Sequence, residues 1–223
     1  MILYHGSNHI VAQPLYDYGR ADNDYGRGFY CTENLQLAKE WGVTKENDGF
    51  VNKYVLPDTG LTILNLNTPE FSLLHWLTIL VQNREPDLIS GLAVDARAYL
   101  IEKFSIVYES YDIIRGYRAD DSYFTFAQDF LNGAISVRQL NRAMHLGYLG
   151  EQIVLKSEKA FREISFSGSE MVDKALWYPR KETRDRSARR TYLQDTQRDR
   201  RRDDLYITQI LLDEIGPDDE RLQ

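Results

Sequence analysis

Apolar positions along the chain fall into short runs and helical stripes with no repeating unit. Ile2-Leu3-Tyr4 opens as a short apolar strand that runs into His5-Gly6-Ser7, and Phe29-Tyr30-Cys31-Thr32 reads as a second brief strand. Residues 50–56 alternate apolar and polar side chains, the mark of a half-buried strand, and residues 61–66 read as its partner across a turn at 58–60. Residues 111–116, 151–155 and 164–166 predict three more strands. Helical spacing predicts a helix over 33–41, with Leu35, Ala38 and Trp41 on one face and Thr32 as N-cap. Further helices are expected over 71–83, 93–104, 122–131 and 136–145. Residues 14–28, rich in Gly, Asp, Asn and Tyr, carry loop chemistry. Residues 170–177 and the basic stretch after them read as helical or extended, and Leu205, Ile207, Ile210, Leu211 and Ile215 form a last apolar face. Strands mixed with helices without βαβ regularity predict an α+β fold.

Composition narrows the class. A chain of 223 residues with 43% hydrophobic content can bury one core. Its single cysteine, Cys31, permits no internal disulfide and no cysteine-based zinc site, and no metal is expected. No apolar run is long enough to span a membrane. The opening lacks a basic leader followed by an apolar stretch, which predicts a cytoplasmic protein. A formal net charge of −7 argues against a broad nucleic-acid surface, and no helix-turn-helix, zinc or RNP-type pattern occurs. The charge is uneven: residues 180–202 hold ten basic and four acidic side chains, net +6, which leaves −13 to the rest. Two readings of that segment stand. It would neutralise phosphates of a nucleic acid, or it is a solvated helix face on which Asp185, Asp195 and Asp199 offset the arginines.

Three separated segments carry candidate chemistry: Leu3-Tyr4-His5-Gly6-Ser7, Tyr25-Gly26-Arg27-Gly28-Phe29-Tyr30-Cys31-Thr32 with Trp41 eleven residues past Tyr30, and Gly150-Glu151-Gln152-Ile153-Val154-Leu155. Singly each is a common turn or strand end. In this order and spacing they resemble the signature of the diphtheria-toxin-like and poly(ADP-ribose) polymerase-like ADP-ribosyltransferases, and within that superfamily the chain is most similar to a bacterial family of unknown function. The resemblance implies a split β-sheet core with flanking helices over residues 1–180, followed by a basic segment and a C-terminal amphipathic helix over 181–223.

The resemblance also implies roles. NAD⁺ would be the substrate, with His5, Gly6, Ser7, Arg27, Tyr30 and Trp41 around it. Gly6 would meet the nicotinamide carboxamide through its backbone, His5 would donate to a ribose hydroxyl, Ser7 would bond the carboxamide, and Tyr30 and Trp41 would stack on the ring. Glu151 is the expected catalytic carboxylate, with His5 and Tyr30 beside it. It would stabilise the oxocarbenium-like ribose as nicotinamide leaves. Position 149 is Leu149, not the second glutamate of the arginine-modifying branch, so an arginine acceptor is not expected. Tyr148, Asp120 and Asp121 are acceptor-side candidates, each with a purely structural alternative. The function implied is mono-ADP-ribosyl transfer to an unidentified protein or nucleic acid, in the manner of a bacterial toxin or effector, which would need a neutralising antitoxin. An NAD⁺ glycohydrolase and a non-catalytic NAD⁺- or partner-binding module are the alternatives.

Overall fold

The computed structural model of the protein describes residues 1–57, 59–84, 90–119, 121–148 and 150–222, with backbone alone at 121–123, 148 and 197. Along the first half of the chain run β1 (Ile2–Ser7), β2 (Phe29–Cys31), α1 (Leu35–Gly42), β3 (Gly49–Val55), β4 (Ile63–Asn65), α2 (Leu73–Asn83) and α3 (Gly91–Phe104). Then come β5 (Ile113–Tyr117), α4 (Asp121–Leu131), α5 (Val137–Met144), β6 (Glu151–Leu155), α6 (Glu158–Glu163), β7 (Ser165–Val172), α7 (Lys174–Arg198) and α8 (Ile207–Leu212). The architecture is α+β. Among the described residues no helix is long and apolar enough to cross a membrane.

The strands form two sheets, ordered β1-β3-β7 and β2-β6-β5-β4. They are joined where Tyr4 and Thr32 exchange both backbone hydrogen bonds, at 2.8 and 2.9 Å. Strand alternation sorts the side chains into layers. Leu3, Cys31, Tyr54, Ile113, Ile153 and Leu155 fill the space between the sheets. Val154 and Ile114, on the opposite face of the second sheet, pack with Tyr30 into the largest core, under α2 to α5. Ala38, Val43, Val51, Val172 and Trp177 seal α1 and the start of α7 against the first sheet.

Two local expectations are corrected. The strand expected over 61–66 is not the hairpin partner of β3, whose edges are taken by β1 and β7. It forms β4, parallel to β5 in the other sheet, because Asp112 accepts from the Thr62 N–H (2.8 Å) and hydroxyl (3.1 Å) and holds it there. The cap of α1 is Asn34, whose Oδ1 accepts from the N–H groups of Gln36 and Leu37 at 3.0 and 3.3 Å, while the Thr32 hydroxyl, two residues earlier, accepts from the Asn34 N–H. The basic stretch up to Arg198 belongs to α7, a helix that passes residue 180, while Arg200, Arg201 and Arg202 follow its end. Ala188, Tyr192, Ile207, Ile210 and Ile215 all enter the main core.

Candidate functional site

At the point where β1 and β2 part, a cleft of about 680 Å³ opens, with His5, Gly6, Gly28, Tyr30, Trp41 and Gln152 among its walls. That volume suits an organic ligand of cofactor size. Gly6 shows how the local fold makes the opening. Tyr4 bonds outward to Thr32, so its pairing with Lys53 across β1 and β3 is of the non-hydrogen-bonded kind. Antiparallel pairs alternate, so Gly6, two residues on and opposite Val51, also turns its N–H and C=O outward from the edge of β1, into the cleft. Its missing side chain serves packing as well. A Cβ there would lie 2.0 Å from the Ala38 carbonyl oxygen and 2.6 Å from the Gly42 nitrogen, so only glycine lets α1 rest on β1 and bring Trp41 to the cleft.

His5 packs against Phe29 with ring centroids 4.5 Å apart and the planes tilted by 36°. Its Nδ1 lies 2.7 Å from the Tyr30 carbonyl, which can only accept, so Nδ1 carries the proton. Burial pushes the imidazole pKa down, which favours the neutral ring. Nε2 is therefore an acceptor, the reverse of the donor role expected for His5. The Tyr30 hydroxyl donates to the Gly26 carbonyl at 2.5 Å and accepts from the Tyr25 N–H at 3.0 Å, which clamps the turn before β2. Lys156 fixes the same turn, its ammonium 2.7 and 2.6 Å from the Tyr25 and Arg27 carbonyls. The Arg118 guanidinium covers one face of Trp41 at 4.3 Å, leaving the expected stacking role to its other face.

Other expected residues stand elsewhere. The Ser7 hydroxyl donates to the His9 carbonyl (2.6 Å) and accepts from Asn52 (3.0 Å), and it is not among the cleft walls. Arg27 turns to the Asp17 carbonyl at 3.0 Å, also away from them. Glu151 is the main correction. Its carboxylate accepts from Asn67 at 2.6 Å and from Arg115 at 2.5 Å, and it lines another recess with Thr32, Glu33, Asn34, Leu35 and Ile153. The reason is parity: Tyr30 pairs with Val154, so even positions of β6 share the Tyr30 face and odd ones oppose it. Gln152 takes the cleft position in its place. Asp120, together with the side chains of Asp121 and Tyr148, lies outside the described residues.

Sequence reasoning missed a charged wall. Lys181, Asp185 and Arg189, spaced four apart on α7, line the cleft. The helix is locked in place by Arg184, which pairs with Glu40 of α1 at 2.8 Å and with Asp185 at 3.0 Å. Arg84 and Arg118 add positive charge to the lining, and Arg84 holds the buried Asp24 at 3.1 Å. Burial raises the Asp24 pKa against the pull of the Ala119 N–H and of Arg84.

A family model described as "Protein of unknown function (DUF3990)" matches residues 1–166. No curated protein and no solved structure matches the chain.

Proposed function

We propose that this chain, which belongs to the family of unknown function DUF3990, binds NAD⁺ in the cleft between β1, β2, α1 and β6 and transfers its ADP-ribose to a protein or nucleic acid. One observation carries the reading: the outward-facing backbone of Gly6 shares a single cleft with His5, Tyr30 and Trp41. These four occupy the motif positions that the ADP-ribosyltransferase resemblance assigns to the nicotinamide end. Two sheets of three and four strands, joined at Tyr4 and Thr32, suit the split core of that superfamily.

In the cleft, the Gly6 N–H and C=O would hold the carboxamide, and the His5 Nε2 would accept from a ribose hydroxyl. Tyr30, pinned through its hydroxyl, and Trp41, on the face away from Arg118, would flank the ring. The cations of α7 would lie toward the diphosphate, whose charge they complement.

A second reading, an NAD⁺-binding module without turnover, is favoured by the uncharged Gln152 at the position where a carboxylate was expected. Incubation with NAD⁺ labelled in the adenine ring, with and without cell lysate, separates the readings. Transfer labels a macromolecule and releases nicotinamide, a glycohydrolase releases nicotinamide without lysate, and a module binds the label and releases nothing. Absence of any NAD⁺ binding by calorimetry would sink all three.

A further inference from the structure

We infer that the side-chain amide of Gln152, together with the indole N–H of Trp41, is the pair of polar groups that grips the bound ligand, and that Glu151 takes no part. This rests on the NAD⁺ reading above and names the residues that do its recognition. Gln152 is 6% exposed, and its Oε1 has no hydrogen-bond partner among the described residues. The Trp41 Nε1 is buried and equally unpartnered. Both line the same cleft. Buried polar atoms are nearly always satisfied, and each exception calls for an explanation. An indole N–H only donates, and an amide oxygen only accepts. A ligand that completes the pair must therefore offer an acceptor to one and a donor to the other. A carboxamide does so, and so does a ribose hydroxyl.

Glu151 does not compete for this role. Its two oxygens are held by Asn67 and Arg115, and Arg115 also bonds Glu33. Moving that carboxylate into the cleft would require β6 to slip by one residue, which would turn Val154 out of the main core and Ile153 out from between the sheets. The group presented to the ligand is thus neutral at every pH. A neutral amide orients a hydroxyl but offsets little of the positive charge that builds on the ribose.

The test uses the full chain and three probes, NAD⁺, nicotinamide and ADP-ribose, titrated by calorimetry against wild type, Gln152→Met, Gln152→Glu, Trp41→Phe and Glu151→Gln. Gln152→Met keeps the volume and removes the amide, and should weaken NAD⁺ binding by about tenfold or more, the usual cost of an unmet polar partner. A parallel loss for nicotinamide assigns the carboxamide as the contact, and a parallel loss for ADP-ribose assigns the ribose. Trp41→Phe should weaken the same probe, whether or not Gln152→Met folds. Glu151→Gln should bind as wild type does.

Gln152→Glu places a carboxylate against the sugar. There the bond between ribose C1′ and the pyridinium nitrogen breaks with its electron pair going to nitrogen. Neutral nicotinamide leaves, water bonds to C1′, and a proton passes to solvent. That variant should release nicotinamide roughly 10²-fold faster than wild type, within the range for a positioned acid–base group. NAD⁺ binding that Gln152→Met and Trp41→Phe leave unchanged, or that Glu151→Gln abolishes, overturns this inference alone. A wild-type protein that binds none of the probes overturns the reading beneath it.

Discussion

Gly6→Ala tests the step on which the cleft depends, the seating of α1 on β1. The added methyl carbon would fall 2.0 Å from the Ala38 carbonyl oxygen, 2.6 Å from the Gly42 nitrogen and 3.0 Å from the Trp41 carbonyl carbon. All three are backbone atoms, so no side chain can swing aside, and the helix itself must lift. Overpacking a filled site costs about 1–3 kcal/mol, and contacts with backbone on this scale belong at the top of that range. For a chain of this size each kcal/mol lowers the melting temperature by roughly 2–4 °C, so a drop of about 6–12 °C is expected. Gly91→Ala is the control, since a Cβ there meets nothing within 4 Å at the start of α3. It should leave stability unchanged or raise it by about 0.4–1 kcal/mol. Thermal melts followed by circular dichroism, paired with NAD⁺ titration, read both outcomes. Because Trp41 rides on the lifted helix, Gly6→Ala should also lose ligand affinity at temperatures where it remains folded. A Gly6→Ala protein that melts together with wild type would refute the close packing of α1 on β1.

Removal of Arg138 leaves Asp204, whose side chain is 1% exposed, without its cation at 2.8 Å but still accepting from the Arg201 N–H; urea denaturation of Arg138→Ala should show a loss of about 3 kcal/mol, the low end for a broken buried pair. His5, whose pKa burial depresses, stays neutral in the fold where the unfolded chain takes up a proton. Its contribution is therefore complete above the unfolded value of about 6.5 and is lost as pH falls from there toward the lower folded value. The buried His75, also depressed, adds a slope of the same sign, so His5→Asn should reduce the pH dependence of the urea midpoint below pH 6.5 without removing it. The double variant Lys181→Ala/Arg189→Ala should weaken NAD⁺ more than nicotinamide, with the difference shrinking as salt rises. Equal losses for the two ligands would mean that α7 does not face the diphosphate.

Local patterns made most elements legible, and pairing explains where they misled. Alternation over 50–56 and helical spacing over 71–83 and 93–104 correspond to β3, α2 and α3. The partner of 61–66 was hidden because that choice is made by the Asp112 carboxylate, fifty residues away in sequence. The order of His5, Gly6, Tyr30 and Trp41 pointed to residues that do share a cleft. The face of β6 could not be read in the same way. Ile153, Val154 and Leu155 are all buried because the second sheet has a core on each side, so no alternation marks which neighbour of Glu151 belongs to which layer. Only the pairing of Tyr30 with Val154 decides it, and it selects Gln152. The basic segment is mostly the solvated face that its composition suggests, with Arg180, Arg186, Arg190, Arg198 and Arg200 to Arg202 exposed. What composition leaves unmarked is the four-residue spacing of Lys181, Asp185 and Arg189, which acquires meaning only once Arg184 meets Glu40.

The family match ends at residue 166, yet the folded unit does not. Beyond that point Ala188, Tyr192, Ile207, Ile210 and Ile215 are between 0% and 7% exposed, all within the core that carries α2 to α5. Tyr192 stacks on Phe126 at 3.9 Å and hydrogen-bonds Asp129, which ties α7 to α4. Cutting the chain after residue 166 also removes most of β7 from the edge of β3 and leaves Glu40 buried without Arg184. Each large core side chain lost costs roughly 2–5 kcal/mol, and four of them together equal or exceed the 5–15 kcal/mol that holds a typical domain folded. A 1–166 fragment should therefore show no cooperative melt and should bind a hydrophobic dye, whereas the full chain should melt cooperatively and leave the dye unbound. A fragment that melts in one transition near the full-length temperature would mean that α7 and α8 are accessories, and that a cleft without their charges is the functional one.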